Sequence, residues 1–518
     1  MAMNLALRFA EVARRLPAKP AIIDDAGAHT YAAVLAAARA VAASVRHTTD
    51  CLHVAIAAPT SAAFPIAYFG VLLADRVPVP LNFLLDPAAL GLVARDAGFD
   101  TVVGSRLFEG LAQALGAKAI FVDDVPHGPA APFEPAAPSE PAAEAAGDSP
   151  GAPAPGSKKE SPSPQLTRGG GDAATLLYTS GTMGLPKGVI LSHRNLIRNV
   201  ESCSEHLALS EDNVFLGVLP FFHAFGLTTS LLLPMALGCS TVCVPRFSPQ
   251  KVLEAIARHK VTVGFAVASM YRAMIRAGRP QGLDLKSLRL PIAGGEALGA
   301  AISDRFRECF GPAILEGYGL TETSPVVAVN VPDRSRPGSV GRLLTWVEAR
   351  IADDDGRPVP AGAEGELCLR GDCVMPGYHN RPEETAAALA PGGWLRTGDL
   401  ARLDDDGYLW ITGRKKDLII SGGENIAPTE IESVLHQHPA VAEAAVIGVP
   451  DASRGEVPKA YVVLREGAGA TASDLAAHCR QRLPRYKLPA VYEFRPELPH
   501  TPTGKVHKLP LRQAEGLA

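Results

Sequence analysis

The stretch Tyr178-Thr-Ser-Gly-Thr-Met-Gly-Leu-Pro-Lys-Gly188 combines three glycines, three threonine or serine hydroxyls and one lysine, and it runs directly into the apolar residues Val-Ile-Leu. Glycine lets the backbone adopt positive φ and approach a ligand closely. Consecutive free N–H groups in such a bend form a binding site for anions. The stretch therefore predicts a loop that holds a polyphosphate, and its candidate ligands are Thr179, Ser180, Gly181, Thr182, Gly184 and Lys187.

This loop differs from a Walker A motif, which reads G-x-x-x-x-G-K-[ST]. Pro186 precedes Lys187 and Gly188 follows it, so no hydroxyl stands where that motif places one for Mg²⁺. The difference argues against a P-loop NTPase. A glycine-rich surface turn without a ligand remains open on this stretch alone.

Length and composition predict a multidomain enzyme. The chain has 518 residues, of which 47% are hydrophobic and 20% charged, and this suits a globular protein of two or more domains. A net charge of −4 gives no reason to expect nucleic acid or an anionic membrane surface as a partner. The eight cysteines lack C-x-x-C spacing, which predicts neither a zinc site nor a disulfide framework and favours a reducing cytoplasm.

The apolar segment 217–245 is long enough to raise the question of a membrane span. It contains Pro220, Gly226, Pro234 and Gly238, which interrupt any continuous helix. We therefore expect a buried loop, helix and strand there, and no integral membrane segment.

The pattern of apolar residues predicts two domains. Helical patterns alternate with short β-rich runs through 1–125 and 172–345, which is typical of α/β layers with a mainly parallel sheet. From residue 346 the chain becomes β-rich, and its last hundred or so residues again mix strands and helices. We predict an α/β protein whose large N-terminal domain, 1–413, contains layered α/β subdomains and a β-rich subdomain, followed by a small mobile α+β domain, 414–518.

Residues 126–171 have a different composition from the rest of the chain. Eleven of the 44 prolines fall between Pro126 and Pro164, among alanine, serine, glycine and glutamate. Such a stretch buries too little apolar surface to offset the entropy of ordering it. Because strand-like sequence resumes at ATLLYTSGT, we expect a disordered insertion within the N-terminal domain.

Four further segments carry candidate motifs: EGYGLTETSP at 316–325, WLRTGD at 394–399, GRKKDLIISGGENIAPTEIE at 413–432 and TPTGK at 501–505. Together with the loop at 178–188, they resemble the adenylate-forming superfamily, which includes acyl-CoA synthetases, aryl-CoA ligases, peptide-synthetase adenylation domains and beetle luciferases. The order and spacing of these segments match the family over nearly the whole chain, and the chain is most similar to bacterial fatty-acid-type acyl-CoA synthetases.

The resemblance implies an adenine site formed by two stretches. In the first, backbone groups of Gly294, Gly295 and Glu296 follow a strand and can reach the edge of a purine. In the second, Tyr318 beside Gly319 offers a flat aromatic face on which the ring can stack.

The resemblance also implies the groups that hold the rest of the nucleotide. Thr321 and Glu322 correspond to the residues that bind the α-phosphate and the metal, and a carboxylate beside phosphate oxygens suits Mg²⁺. Asp399 and Arg414 correspond to the ribose contacts, since a carboxylate can accept hydrogen bonds from both ribose hydroxyls.

Three positions are implied to act at the reacting centre or to move the small domain. Lys505 corresponds to the lysine that stabilises charge between the substrate carboxylate and the α-phosphate. His223 corresponds to a position beside the acyl carboxylate, although a simple packed histidine stays open there. Lys416 corresponds to the hinge, and rotation about it is implied to bring Gly422 and Gly423 to the channel for CoA.

The implied reaction is an ATP-dependent ligation in which a carboxylic acid becomes an acyl-adenylate and is then transferred to CoA. The neighbours of His223 are Phe222, Ala224 and Phe225, with no acid to pair with a substrate ammonium, which argues against an amino acid and for an apolar acyl chain. Our hypothesis is that this acid is a medium- to long-chain fatty acid, although the sequence does not give the depth of the acyl pocket. Three alternatives remain: loading of an acyl carrier protein, ligation of an aryl acid to CoA, and a non-catalytic sensor of nucleotide or acyl chain.

Overall fold

The computed structural model describes residues 4–125, 166–180, 186–500 and 506–517. Before the insertion the elements are α1 (Leu5–Arg15), β1 (Pro20–Asp24), β2 (Gly27–Thr30), α2 (Tyr31–Thr48), β3 (His53–Ala57), α3 (Ala63–Leu73), β4 (Val77–Pro80), α4 (Pro87–Ala97), β5 (Thr101–Gly104), α5 (Glu109–Ala114) and β6 (Lys118–Phe121). After it come β7 (Ala173–Ser180), β8 (Pro186–Ser192), α6 (His193–His206), β9 (Val214–Gly217), α7 (Ala224–Gly226), α8 (Leu233–Leu237), β10 (Ser240–Cys243), α9 (Pro249–His259), β11 (Val263–Ala266), α10 (Ala268–Ala277), β12 (Leu290–Ala293), α11 (Ala300–Phe310), β13 (Leu315–Gly319), β14 (Val326–Val329) and β15 (Arg342–Leu343).

The β-rich part and the C-terminal part complete the chain. The β-rich part contains β16 (Val347–Ala352), β17 (Gly365–Gly371), β18 (Gly377–Tyr378), α12 (Pro382–Ala388), β19 (Leu389–Ala390), β20 (Trp394–Leu403) and β21 (Leu409–Arg414). The C-terminal part contains β22 (Ile419–Ser421), β23 (Glu424–Ile426), α13 (Pro428–His436), β24 (Val441–Asp451), β25 (Gly455–Leu464), α14 (Ala472–Arg480), β26 (Val491–Phe494) and α15 (Lys508–Ala514).

Two sheets of mainly or wholly parallel strands form the body of the molecule. The larger has nine strands in the order β15-β14-β13-β12-β11-β9-β10-β1-β2, and its six central strands, from β13 to β1, are parallel. The smaller, β4-β3-β5-β6, is parallel throughout. Apolar helices cover these sheets, as expected where both faces of a parallel sheet are buried. The α/β class predicted from the sequence is confirmed.

Polar side chains that cap the N-termini set the boundaries of several helices. The Asn4 side chain accepts hydrogen bonds from the first turn of α1, and Thr30 does the same for α2. Ser192 and Asn195 form a reciprocal capping box at the start of α6, directly after β8. These caps fix where each strand passes into a helix, and they thereby position the loops at the ends of the strands.

The segment 217–245 has the buried loop, helix and strand expected from its prolines and glycines. After β9, a continuous helix is formed by α7, a π-helical turn at Leu227–Leu232 and α8, and it leads into β10. Within the described part of the chain, every helix falls short of the length and apolar character that a bilayer crossing requires.

The remaining strands form three antiparallel or mixed sheets. β7 and β8 pair with the short β18, while β16, β17, β19, β20 and β21 form the β-rich subdomain. After residue 418, the C-terminal sheet β23-β22-β25-β24, joined by β26, has two apolar clusters of its own. This organisation is consistent with a separate small domain, although the boundary at 413/414 stays a prediction.

The end of the proline-rich segment is attached to the body. The hydroxyl of Thr167 donates to a carboxylate oxygen of Asp75 over 2.5 Å, and the Asn4 amide donates to the carbonyl of Arg168 over 3.0 Å. Most of the predicted insertion, 126–165, lies outside the described residues.

Candidate active site

A cavity of about 890 Å³ opens at the carboxyl ends of the central parallel strands. Its wall includes residues that directly follow β9, β10, β11 and β12, and it is closed on one side by the β-rich subdomain. Ligands of open α/β sheets bind at this end of the strands. Twelve of the candidate residues line this cavity: Thr179, Lys187, His223, Gly294, Gly295, Tyr318, Gly319, Thr321, Glu322, Asp399, Arg414 and Lys416.

Two glycines in the wall are required by the backbone geometry. A Cβ on Gly319 would lie 2.0 Å from the carbonyl oxygen of Pro325, so no larger residue fits without moving the loop after β13. Gly295 has a φ of 79°, which L side chains rarely adopt. Both positions expose backbone rather than side chains to the cavity.

The Asp399 carboxylate is held at one end of the cavity by two donors. The Tyr318 hydroxyl donates to Oδ2 over 2.5 Å, and Nε of Arg414 lies 2.9 Å from Oδ1. The Asp399 side chain is only 3% exposed, whereas that of Arg414 is 49% exposed. Burial, reinforced by the Asp399 charge, raises the pKa of Tyr318, which keeps its hydroxyl protonated as a donor.

A second charged cluster lies around Glu322, which belongs to a 3-10 turn at Thr321–Thr323. The Tyr378 hydroxyl donates to Oε1 of Glu322 over 2.9 Å, and Nζ of Lys187 lies 5.5 Å from the centre of the Tyr378 ring. Burial, and then the Glu322 charge, raise the pKa of Tyr378. A carboxylate, a lysine and a neutral phenol therefore face the same space, where an oxyanion with a cation could be held.

The segment after β21 places two lysines at the cavity with different surroundings. Lys415 pairs with Asp354 over 2.8 Å and with the buried carboxylate of Glu366 over 3.4 Å, which attaches it to the β-rich subdomain. For Lys416, by contrast, burial, together with the charge of Arg414, lowers the pKa. The chain is therefore anchored up to residue 415, directly before the predicted hinge.

Glu316 connects the two stretches that the sequence assigns to adenine. Its Oε1 accepts a hydrogen bond from the backbone N–H of Leu298 over 3.0 Å, and Leu298 belongs to the loop that contains Gly294 and Gly295. Burial raises the pKa of Glu316 to about 7. The side chain thus fixes the loop after β12 relative to β13.

Among the described candidates, Glu296, Gly422 and Gly423 are not part of this cavity wall. The Glu296 side chain accepts from the backbone N–H of Ser269 over 3.0 Å and lies 3.7 Å from Arg272, so it caps the start of α10. Gly422 and Gly423 form the exposed turn between β22 and β23. The described residues exclude Gly181, Thr182, Gly184 and Lys505, and of Ser180 only the backbone, as the last residue of β7, is described.

The cavity also has a large apolar lining, and the His223 ring in its wall packs against Phe222 at 4.6 Å between centroids. Among the described residues that line the cavity, every lysine, arginine, aspartate and glutamate belongs to the clusters of Glu322, Asp399 or the hinge. The apolar lining residues include Leu207, Val218, Phe225, Phe247, Phe265, Val267, Met270 and Val329.

Sequence reasoning missed Tyr378, Lys415 and Glu316. Tyr378 lies in a strand of only two residues that pairs with β8, nearly 190 positions earlier in the chain. No local sequence pattern predicts such a contact. Glu316 and Lys415 do fall inside the recognised motifs, so the signal was present, but their partners are contributed by other segments.

Comparisons with known proteins agree with this fold. Residues 9–379 match the family model described as AMP-binding enzyme, and residues 430–505 match the AMP-binding enzyme C-terminal domain. A long-chain-fatty-acid–CoA ligase of Bacillus subtilis (strain 168) is 41% identical over 66% of this chain, and the match spans 62% of that ligase. A long-chain-fatty-acid–CoA ligase of Escherichia coli O6:H1 is 33% identical over 97% of this chain and 93% of its own length.

Among solved structures, ATP-bound MatB from Rhodopseudomonas palustris superimposes with a TM-score of 0.85 and 31% identity, covering 99% of both chains. Fold and matches together define an adenylate-forming enzyme with a large N-terminal and a small C-terminal domain. The chain belongs to the family of AMP-binding enzymes, and the acyl-CoA synthetase class predicted from its motifs is confirmed.

Proposed function

We propose that this enzyme activates an apolar, medium- to long-chain carboxylic acid with ATP and transfers the acyl group to CoA. The observation that carries the proposal is a single cavity whose wall combines the charged clusters of Asp399 and Glu322 with many apolar side chains. Such a shape accommodates both a nucleotide and an acyl chain, with the acid's carboxylate where the two parts meet.

In this cavity, different groups of residues are proposed to bind the adenine, the ribose and the phosphates of ATP. The backbone at Gly294 and Gly295 and the ring of Tyr318 hold the adenine, while Asp399 and Arg414 hold the ribose. Thr179 and Lys187 face the phosphates, together with Ser180, Gly181, Thr182 and Gly184 from the sequence motif. These assignments rest on the motif matches and on the shared cavity wall.

In the first step, a carboxylate oxygen of the acid attacks the α-phosphorus of ATP, and the bond to the β-phosphate oxygen breaks to release pyrophosphate. Thr321 contacts the α-phosphate, and Lys505 stabilises the negative charge that accumulates between the two reactants. His223, in the cavity wall, orients the acid's carboxylate. Holding both reactants in one site supplies much of the rate enhancement.

The residues present suit Mg²⁺ that arrives with the nucleotide. Among the described residues, no three histidine, cysteine or carboxylate side chains come together as a metal cage. Mg²⁺ commonly uses one or two carboxylates together with phosphate oxygens, and Glu322 is the carboxylate that would hold it. When bound, the ion would offset phosphate charge, and Tyr378 would keep Glu322 oriented through its hydroxyl.

In the second step, the sulfur of CoA attacks the acyl carbonyl, AMP leaves with its phosphate oxygen, and the thiol proton is released. Gly422 and Gly423 lie away from the cavity wall, in an exposed turn. We place the hinge at Lys416, so that rotation of the small domain exchanges Lys505 for this turn at the site.

The apolar lining favours an acid without a charged or strongly polar tail. A second carboxylate or a sulfonate buried against it would need a cationic partner, and the described lining there provides none. An aryl acid could also occupy an apolar site, and an acyl carrier protein could replace CoA as the acceptor; both are outcomes that the experiment below separates. All eight cysteines are free thiols, which supports placing the enzyme in the reducing cytoplasm.

The test is pyrophosphate release measured across short, medium, long, aromatic and dicarboxylic acids, with thioester formation assayed with and without CoA. We expect the highest kcat/KM with straight chains of medium to long length and thioester only when CoA is present. Exclusive activity on benzoate-type acids would identify an aryl-acid ligase. Adenylation without transfer to CoA would point to a carrier protein, and no pyrophosphate release with any acid would contradict an enzymatic role.

A further inference from the structure

A second, much smaller cavity of about 10 Å³ lies behind the apolar part of the main one. The two cavities share three wall residues, Val218, Phe247 and Met270. Every residue that lines the smaller cavity is apolar apart from Tyr271. These three shared residues therefore separate the two cavities. We call them the partition, and we call the smaller space the rear cavity.

The rear cavity lies on the opposite face of the central sheet. Along β11, Phe265 lines the main cavity whereas Gly264 and Ala266 line the rear one, as expected because successive side chains of a strand point to opposite faces. Residues of α9 and α10 close it from outside. A chain that passed the partition would thus turn around the ends of β9 and β11.

Helix α10 carries two methionines on one face. Met270 and Met274 are four residues apart and lie one above the other. Met270 belongs to the partition and is partly exposed to the main cavity, while Met274 is 2% exposed and lines only the rear cavity. The helix itself is fixed by Tyr271, whose hydroxyl donates to the carbonyls of Gly264 and Ile292 over 2.8 and 3.1 Å.

From these contacts we infer that Met270, with Phe247, sets the maximum length of the acyl chain by closing the main cavity against the rear one. The inference rests on the proposed function, because it assigns the acyl chain to the apolar wall. Met270 is an unbranched side chain, and removing its last three heavy atoms would let an equivalent number of chain atoms pass into the space behind it.

The test compares the wild type with Met270→Ala. Binding of straight-chain carboxylates of increasing length is measured by titration calorimetry with ATP analogue present, and pyrophosphate release is measured in parallel. We expect the preferred length to increase by about two to three methylene groups, with about a fourfold gain in affinity for each added methylene that is buried. Phe247→Leu opens the same partition from a different segment and should shift the preference in the same direction.

Two matched variants separate the partition from general loosening of the core. Met274→Ala enlarges the rear cavity but leaves the partition closed, so the length preference should stay that of the wild type. Gly264→Val, made together with Met270→Ala, should reverse the shift by filling the rear cavity. The nearest atoms to a Cβ at Gly264 would be side-chain atoms of Leu288 at 3.6 Å and of Leu216 at 3.8 Å, which is ordinary van der Waals contact, so the added side chain is expected to fit.

The outcomes distinguish this inference from the proposed function. An unchanged length profile in both Met270→Ala and Phe247→Leu, or an equal shift in Met274→Ala alone, would overturn the assignment of the partition. Absence of pyrophosphate release in the wild type would overturn the proposed reaction, while the calorimetric series would still decide whether Met270 limits the chain.

Discussion

Asp399 is buried between a phenol and a guanidinium, and this position makes its charge important for binding. Its carboxylate accepts from Tyr318 and pairs with Arg414, and it still faces the cavity. Hydrogen bonds to a charged group contribute about 1.5–3 kcal/mol each. A ribose that donates to this carboxylate would therefore lose roughly that amount if the charge were removed.

We predict that Asp399→Asn raises the KM for ATP by about 10- to 100-fold, since the amide keeps the shape but not the charge. The measurement is steady-state pyrophosphate release as a function of ATP concentration. Asp406→Asn is the control, because Asp406 lies between β20 and β21, is 63% exposed, pairs with Arg336 and does not line the cavity. Equal KM values for both variants would argue against the ribose assignment.

Glu316 gives a pH-dependent prediction. Burial raises its pKa from 4.5 to about 7, so between these pH values the folded protein binds a proton that the unfolded chain does not. The folded state is therefore stabilised by this group at low pH, and that contribution is lost as pH rises through 7. Glutamine cannot titrate but can still accept from Leu298.

We expect Glu316→Gln to be more stable relative to the wild type at pH 8 than at pH 5, by about 3 kcal/mol. Urea unfolding at the two pH values, followed by tryptophan fluorescence, measures the difference. Glu308→Gln, on the exposed surface of α11, serves as the control and should show no such change with pH. A pH-independent difference for Glu316→Gln would show that the carboxyl stays ionised in the folded protein.

For individual residues, the motifs predicted the candidates but not the hydrogen bonds and ion pairs that their side chains form. Most of the described candidates line one cavity, as the resemblance implied. The prediction for Glu296 concerns its backbone beside adenine; its carboxylate accepts a hydrogen bond from Ser269 at the start of α10, a contact that no motif predicts. Tyr378 was missed because its contacts with distant segments leave no local pattern, and Glu316, although inside a recognised motif, because its partner Leu298 belongs to another loop.

The element that joins the two predicted domains is a short 3-10 turn at Lys415–Asp417, directly after β21. Ion pairs of Lys415 hold its first residue to Asp354 and Glu366. Although burial opposes it, pairing with Arg396 and Lys415 lowers the pKa of Glu366, which keeps this anchor charged. Backbone rotation is therefore expected to begin at Lys416.

We predict that Lys416→Pro preserves pyrophosphate release but slows thioester formation from preformed acyl-adenylate by at least about 100-fold. Proline fixes φ near the helical value that the 3-10 turn already has, so it favours the arrangement in which Gly422 and Gly423 are away from the cavity. Rapid-quench assays of the two half-reactions measure the effect. Normal thioester formation in this variant would place the hinge elsewhere.

Two further variants complete this experiment. Lys416→Ala removes the side chain but leaves φ free, and it should retain both half-reactions. Lys505→Ala should show the opposite pattern, with acid-dependent ATP–pyrophosphate exchange lost by about 10²- to 10³-fold and thioester formation from preformed adenylate intact. Intact exchange would contradict the role assigned to Lys505.

Elements with a strong period or clear caps were predictable, and very short ones were not. The hairpin of β20 and β21 turns at Asp404-Asp-Asp-Gly407, a sequence typical of a turn, and α13 has its apolar residues on one face, which is typical of an amphipathic helix. The two-residue strands β15, β18 and β19 exist because a longer strand pairs with them. A strand of two residues that forms only because a longer strand pairs with it has no recognisable sequence pattern of its own.

For the molecule as a whole, the segments on either side of the predicted insertion share one hydrophobic core. The hydroxyl of Thr175 donates to the carbonyl of Pro78 over 3.1 Å, and that of Tyr178 donates to Asp96 over 2.6 Å. Strand β1, from before the insertion, pairs with β10, from after it. Covalent continuity through 126–165 is therefore not needed to hold the parts together.

We predict that limited trypsin treatment cleaves first at Lys158 or Lys159, in the stretch that composition predicts to be disordered, and that the two fragments stay associated. Denaturing gels would show two bands, size-exclusion chromatography a single peak, and pyrophosphate release would remain within about twofold of the intact enzyme. Separation of the fragments without denaturant would show that the insertion contributes to folding.

The α/β class and the division into a large and a small part were predictable from the alternation of patterns along the chain. The order of strands in the nine-stranded sheet was not. It brings β1 and β2 to an edge beside β10 and inserts β9 between β10 and β11. Hydrophobic periodicity shows which face of a strand is buried, but carries little information about which distant strand lies next to it.

The pairing of β1 with β10 also has a consequence for the time course of synthesis. Ile22 lies opposite Thr241, 219 positions later in the chain. At roughly 5–20 residues per second, a ribosome produces the first strand about 10–45 seconds before its neighbour exists. Throughout that interval the nascent β1–β2 hairpin has an unpaired edge, so the growing polypeptide is most exposed to non-native pairing, and most in need of a chaperone, before residue 243 emerges.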